Sequence, residues 1–295
     1  MGNNAESWIA LILCAAMILG WSVEHLVRNQ PDYAEAFAPD WLPIVAAGLT
    51  AAGIVRLNGL PQWLRVQRVL HWSGLLLMVW VANGLPIDLL RIAGLIPLEV
   101  DWPGLVTRTL ALAAAVVLAH LALARPVAAT STREAKSAHA ASWYGYAAFV
   151  LALVYPFFRT VWVFGGTLGL MMPGAAGQGF EPWLACTPWL LAAVLSLLLV
   201  PKHSWMPRRL LLVAGWSATA IVAMVGPAGS WSLINAAING VDAGLGDIEG
   251  WIPYIFYGSW FLWAIAAGAA TRSYQLRSEG LQNVFADRTI SMEVK

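Results

Sequence analysis

The chain has 295 residues and a net charge of +1 at pH 7, with 59% hydrophobic and only 11% charged residues. A soluble domain carries about a quarter charged residues, so this composition excludes an ordinary soluble domain and indicates an integral membrane protein. The small net charge gives no sign of a nucleic-acid partner, and two cysteines are too few for a disulfide framework.

Eight stretches are apolar enough to cross a bilayer, which takes about 20 mostly apolar residues. In chain order they are residues 8–26, 41–57, 69–90, 105–124, 143–164, 183–200, 210–227 and 252–271. The sequence therefore predicts an all-α polytopic membrane protein whose eight transmembrane helices form a single domain, residues 1–271. Residues 272–295 are polar and predict a short cytoplasmic tail that begins as an extension of the last helix.

The basic residues predict the orientation of these helices. Of the 17 Lys and Arg residues, 12 lie in the tail or in the connections after predicted helices two, four and six, and Arg56 lies at the end of helix two on the same side. Only Arg28 and Arg91 lie in the opposite connections, while Arg108 and Arg159 fall within helices. Because Lys and Arg stay on the cytoplasmic side, both termini are predicted to be inside, and membrane lipids surround the bundle.

The external connections are longer and partly apolar. Between helices seven and eight, apolar residues recur at helical spacing: Trp231, Ile234, Ile238, Val241 and Leu245. This pattern predicts an amphipathic external helix that lies on the outer surface or caps the bundle. The third external connection, residues 165–182, contains six glycines and could dip back into the bilayer against protein.

Arg159 is the most unusual residue of the apolar segments, because it lies in the outer third of predicted helix five. A charge in hydrocarbon costs roughly 3 kcal/mol on insertion scales unless it is paired or hydrated. Pro156 precedes it and Gly165 and Gly166 follow, and both residue types loosen the backbone. We interpret Arg159 as an anion contact in an outward-facing pocket. The alternatives are snorkelling to the interface or a structural ion pair with Glu24 or Asp88.

Other ionisable residues lie near the same outer level. Glu24 and His25 end helix one, and this pair could move protons near neutral pH or could simply mark an interfacial helix end. Asp88 and Arg91 have the spacing of an i,i+3 ion pair at the end of helix three. With Arg108 at the start of helix four, they predict an outer ring of mixed charge.

His71 and His120 lie a few residues inside the cytoplasmic ends of adjacent predicted helices. Two histidines at one depth could ligate a b-type haem axially, which is a minor alternative, because a chance match in depth explains them equally well. The sequence has no HExxH, CxxC, Walker or GxSxG motif. It therefore predicts no metal site and specifies neither a cofactor nor a reaction.

Two segments resemble a known family. YPFFRTVWVFGGTLGL, residues 155–170, resembles a YP-x-x-(K/R)-x-x-W-x-x-GGT-x-G stretch, and the helix-eight segment ending GAATRSYQLRSEG resembles W-x-x-W-G-x-x-x-G-A-A-T-x-x-Y-x-x-R-x-x-G. Both patterns recur in an uncharacterised family of actinobacterial polytopic membrane proteins. The resemblance covers about a sixth of the chain and implies a bacterial plasma-membrane protein. Related tails often continue into Cys-x-x-Cys, which this tail lacks, so no metal or redox role carries over.

The favoured function is a permease or ligand-binding membrane protein with an outward-facing pocket. Arg159, Gly165 and Gly166 would form the floor of this pocket, and Glu24, Asp88 and Arg108 would form its rim. A small anion or a lipid would be the ligand.

Two further classes stay open. An enzyme acting on a lipid-linked substrate at the outer leaflet would need paired acids, which Glu24 with Asp88 or Asp101 could supply. A non-catalytic subunit of a larger membrane complex would use Gly- and Ala-rich helices, such as residues 264–270, as docking surfaces.

Overall fold

The computed structural model describes residues 2–27, 38–54, 63–94, 99–123, 143–171, 181–200, 206–240 and 248–293. Within these ranges all regular structure is helical, apart from one isolated β-bridge between Leu170 and Ile248. The helices are α1 Gly2–Val27, α2 Leu42–Ile54, α3 Trp63–Val81, α4 Leu85–Ile92, α5 Trp102–Leu123, α6 Trp143–Ala152, α7 Val154–Val163, α8 Glu181–Leu198, α9 Arg208–Asn239 and α10 Trp251–Glu293. The all-α prediction is confirmed for the described residues.

Six stretches of helix are long and apolar enough to cross a membrane: Ala5–Val27, Val69–Ile92, Trp102–Ala122, Trp143–Val163, Arg208–Asn239 and Trp251–Ser278. The second and sixth predicted spans correspond to shorter apolar helices, Leu42–Ile54 and Ala185–Leu198. The structure thus supports a membrane protein with six candidate spans, and the count of eight stays a prediction.

The helices form two compact units. The first comprises Met1–Arg125 with Ala223–Asn235, and the second comprises Pro126–Val222 with Ala236–Lys295. Helix α9 therefore contributes one stretch to the first unit and the remainder to the second. This grouping into two units does not test whether residues 1–271 form a single domain, which stays a prediction.

Glycines bring α2 and α3 close together in the first unit. A Cβ atom added at Gly74 would lie 2.7 Å from Thr50 Oγ1, and one added at Gly53 would lie 2.9 Å from the His71 backbone nitrogen. Such distances are shorter than real Cβ contacts, so only glycine allows this approach. Close backbone packing through small residues is how apolar helices associate without a hydrophobic driving force.

Two predicted spans are interrupted by a break in the helix. The third predicted span divides into α3 and α4 at residues 82–84, where Gly84 has a φ of 90° and Pro86 lies in the first turn of α4. The fifth divides into α6 and α7 at Leu153. Pro156 has no N–H to donate to the carbonyl four residues earlier, at Ala152, so the helical hydrogen bonding is interrupted there.

The seventh predicted span is longer than expected. Helix α9 continues through Pro227 to Asn239 and ends at Gly240, which has a φ of 63°. Residues 228–239 therefore extend α9 and do not begin a separate helix, so the predicted external helix is not confirmed. Its Trp231 packs edge-on against Trp41 and Trp80, with centroids 6.3 and 6.2 Å apart, which gives this extension contacts within the first unit.

Several sequence predictions lie outside the described residues. They concern Arg28, the centre of the third external connection (172–180), and Val241 and Leu245 of the fourth. The tail does begin as a helix extension, because α10 continues to Glu293.

The Gly- and Ala-rich part of α10 packs within the second unit. Ala264, Ala266, Ala267 and Ala270 are all buried. A Cβ atom added at Gly215 of α9 would lie 2.6 Å from Thr271 Oγ1, so α9 and α10 approach closely. These alanines contribute to the packing of the second unit, and a docking surface for a partner over residues 264–270 stays a prediction.

Candidate functional site

Arg159 lies on α7, one turn after the helix begins, and is half-buried. Tyr155 and Trp162 are four residues before it and three residues after it, so all three side chains share one face of α7. The Arg159 Cζ atom lies 6.0 Å from the centroid of the Tyr155 ring and 5.8 Å from that of Trp162. Both distances fall within the range of cation–π attraction.

The guanidinium of Arg159 has no acidic partner in the part of the chain whose side chains the structure describes. Its Nε atom is buried and has no hydrogen-bond partner there. Cation–π contacts with two rings offset the charge of a guanidinium only in part.

Aromatic rings form a continuous wall next to Arg159. Tyr155 contacts Trp189 at 6.2 Å and Trp260 at 5.9 Å between centroids, and those two indoles stack on each other at 4.7 Å. Phe256 stacks on Trp260 and meets Tyr155 at 5.0 Å. We call Tyr155, Trp189, Phe256 and Trp260 the aromatic wall. It joins α7, α8 and α10 within the second unit.

The Gly165–Gly166 turn ends α7 and positions the chain that follows. Gly165 has a φ of 83°, and a Cβ atom added at Gly166 would lie 2.5 Å from Val161 Cγ1. Beyond the turn, Trp162 Nε1 donates to Leu168 O at 2.7 Å, and Glu249 N donates to Gly169 O at 2.9 Å. These contacts give the glycines a structural role, and their predicted contact with a ligand stays a prediction.

The first unit contains a buried ionic cluster at the end of the broken third span. Arg108 on α5 donates to Asp88 on α4 at 2.5 Å and to Asp101 at 3.2 Å, and Arg91 lies 3.8 Å from Asp88. Asp88 is fully buried and Arg108 nearly so. The i,i+3 pair of Asp88 and Arg91 is thus present, and Arg108 supplies the stronger contact.

Glu24 and His25 contact different groups. Glu24 is buried and accepts a hydrogen bond from Thr107 Oγ1 at 2.9 Å, whereas the exposed His25 lies against Trp21, with ring centroids 4.5 Å apart. Glu24, Asp88 and Arg108 all belong to the first unit, whereas Arg159, Gly165 and Gly166 belong to the second. The predicted rim and the predicted floor thus belong to different units, and a pocket formed by these residues stays a prediction.

His71 and His120 are engaged with other groups. His71 Nε2 lies 2.9 Å from the Leu118 carbonyl oxygen, which can only accept, so this nitrogen must carry the proton and cannot ligate a metal. The largely exposed His120 lies 3.5 Å from Glu6 through its own Nε2. This arrangement gives no support to axial ligation of a haem by the two histidines.

Comparison of the chain with protein-family models, with curated proteins and with solved structures found no match. The site is therefore interpreted from its own chemistry.

The sequence analysis missed the aromatic wall and Thr107. The spacing of Tyr155 to Arg159 and of Phe256 to Trp260 is i,i+4, which places each pair on one helix face. That signal could have been found. The contact of Trp189 with Trp260 could not, because it depends on how α8 packs against α10.

Proposed function

We propose that this chain is a plasma-membrane protein that binds an anionic ligand at Arg159, as a permease or a ligand-binding protein. The observation that carries the proposal is the buried Arg159 Nε, which has no hydrogen-bond partner among the described residues. A guanidinium keeps its charge in nearly any environment and presents several donors to a carboxylate or phosphate. An anion would therefore supply the compensation that the aromatic faces provide only in part.

The proposal includes eight crossings with both termini inside. The support is the distribution of basic residues and the presence of a helix at each of the eight predicted spans. In that topology Arg159 lies towards the outer side, and the site would take its ligand from there. A broken helix beside a charged group is a common arrangement for binding sites in transporters.

The test is thermal protection of the full-length protein in phosphatidylcholine nanodiscs. Acetate, inorganic phosphate, methyl phosphate and octyl phosphate are each compared with chloride at equal ionic strength. We expect at least one of these anions to raise the unfolding temperature, because an anion at 100 times its Kd stabilises the folded protein against unfolding by about 2.7 kcal/mol. The protection is expected to disappear in Arg159→Gln.

Arg209→Gln is the matched control, because Arg209 is an exposed arginine of the same unit. It should keep the protection of the wild type. Equal protection of the wild type and Arg159→Gln, or no protection by any of the four anions, would refute the proposal. Arg159-dependent uptake of the protecting anion into proteoliposomes would then identify a permease, and binding without uptake a ligand-binding protein.

No described feature favours the enzyme alternative. Glu24 is held by Thr107, and Asp88 and Asp101 are held by Arg108, which is an arrangement typical of buried structural charges.

A further inference from the structure

We infer that the ligand at Arg159 is an amphiphilic anion, with a carboxylate or phosphate head on the guanidinium and an apolar body against the aromatic wall. This inference rests on the proposed function and narrows its ligand class. It draws on the contents of the second unit alone.

The head of the ligand is determined by Arg159. Its Nε atom is a buried donor, and no described acidic side chain lies within ion-pair distance. Charge-assisted hydrogen bonds to carboxylate or phosphate are the strongest that a guanidinium makes. A neutral or cationic head would leave the charge uncompensated.

A second buried donor belongs to another neighbour of Tyr155. Trp260 Nε1 is buried without a hydrogen-bond partner among the described residues, and its ring contacts Tyr155 at 5.9 Å. Tyr155 also carries the cation–π contact with Arg159. An indole N–H donates only, and buried indoles usually find an acceptor. A ligand that contacts both Arg159 and Trp260 can supply this acceptor, for example an ester or phosphoryl oxygen.

The body of the ligand is determined by the wall. Tyr155, Trp189 and Trp260 are only partly buried, so part of their aromatic surface is accessible, while Phe256 stacks on Trp260 from the hydrophobic core. Aromatic surface binds apolar groups, but it does not offset the cost of desolvating a small anion. The same chemistry is offered by a bilayer phospholipid and by a soluble amphiphile.

The test compares two phosphate monoesters that share a head and differ in the tail. Binding of octyl phosphate and methyl phosphate to the full-length protein is measured by thermal protection in phosphatidylcholine nanodiscs. We expect octyl phosphate to bind at least tenfold more tightly, and Arg159→Gln to abolish the protection by both. Trp260→Phe keeps a ring and loses the donor, so it should reduce octyl phosphate affinity severalfold.

Trp143→Phe serves as the control, because Trp143 is an exposed tryptophan of the same unit that stacks on Tyr144 instead of the wall. It should leave both affinities unchanged. Trp189→Leu offers a second change to the wall should Trp260→Phe fail to fold, and should also reduce the preference for the octyl ester.

Two results distinguish the amphiphilic ligand from the anion site proposed at Arg159. Equal, Arg159-dependent binding of both esters would overturn the inference and leave the anion site intact. Protection that is independent of Arg159 would overturn both. Phosphatidic acid added to the nanodiscs distinguishes the sources: competition with octyl phosphate indicates a lipid ligand, and its absence together with the tail preference indicates a soluble amphiphile.

Discussion

Two arginines in apolar helices of this protein have opposite surroundings. Arg108 is nearly fully buried and donates to two carboxylates, Asp88 and Asp101. Arg159 is half-buried and faces aromatic rings, with no described acid in reach. A buried charge that is fully paired has a structural role by default, whereas one left for a ligand or water marks a site. The contrast is the reason why we propose a ligand at Arg159 and none at Arg108.

Removal of Arg108 should destabilise the first unit strongly. Arg108→Leu leaves Asp88 buried without its main partner, and breaking a buried pair from one side costs about 3–5 kcal/mol. The double variant Asp88→Asn/Arg108→Leu should recover part of this loss, because no uncompensated carboxylate remains at position 88. Thermal or denaturant unfolding of the four proteins in the cycle measures the coupling.

Arg209→Gln again provides the control, with an expected change within about 0.5 kcal/mol for an exposed position. If Arg108→Leu unfolds like that control, the ionic cluster does not hold α4 to α5.

Sequence spacing predicts some contacts of these ionisable residues but not others. The Asp88–Arg91 pair could be predicted, because its spacing is local to one helix. The Arg108–Asp88 contact links residues on two helices, and no spacing rule gives such tertiary pairing. The hydrogen bond from His71 to Leu118 is of the same kind, which is why equal depth in the membrane suggested a haem that the geometry does not favour.

At the scale of the helices, hydropathy located each apolar segment but not the interruptions within them. Pro156 was correctly named as a source of loosened backbone, and the break lies at Leu153, one turn earlier. The break at Gly84 was missed, because the apolar character continues across it. The apolar pattern predicts that a span ends at Pro227, whereas α9 continues to Asn239, so a proline inside a helix does not by itself predict termination.

Two glycine-to-alanine changes in the first unit should have opposite effects. At Gly74 the new Cβ atom would lie 2.7 Å from Thr50 Oγ1 and 3.0 Å from its backbone nitrogen, so α2 and α3 must separate. We expect a loss of about 1–3 kcal/mol, the usual cost of overpacking. At Gly48 of α2 nothing lies within 4 Å, so alanine should stabilise by about 0.5–1 kcal/mol through helix propensity.

Unfolding measurements on the two variants, made under one set of conditions, test this pair. Stabilisation by Gly74→Ala would contradict the close approach of α2 and α3.

At the scale of the whole molecule, composition was the most informative property of the sequence. An apolar, weakly charged chain predicts a membrane protein, and the helices bear this out. Composition does not give the number of spans: α2 has 13 residues, fewer than the usual 20 or so, and six of the described helical stretches reach spanning length. The grouping into two units could not be predicted, because it depends on contacts between helices distant in sequence.

The topology can be tested with cysteines placed in connections on opposite sides. The native Cys14 and Cys186 are buried, so they provide a low background. In intact cells, Gln178→Cys should react with a membrane-impermeant maleimide, and Ser137→Cys should react only after lysis. This follows from the placement of the basic connections inside. Labelling of Ser137→Cys in intact cells would reverse the orientation, and labelling of both would contradict the predicted number of crossings between them.

The length of α10 has a mechanical consequence. Its 43 residues form a rod of about 65 Å, whereas the hydrocarbon layer is only about 30 Å thick. If its amino-terminal end lies at one surface, roughly the last third of the rod projects into the aqueous phase beyond the opposite headgroups. The carboxyl terminus would then be held off the bilayer at the end of a stiff arm instead of resting on the lipid.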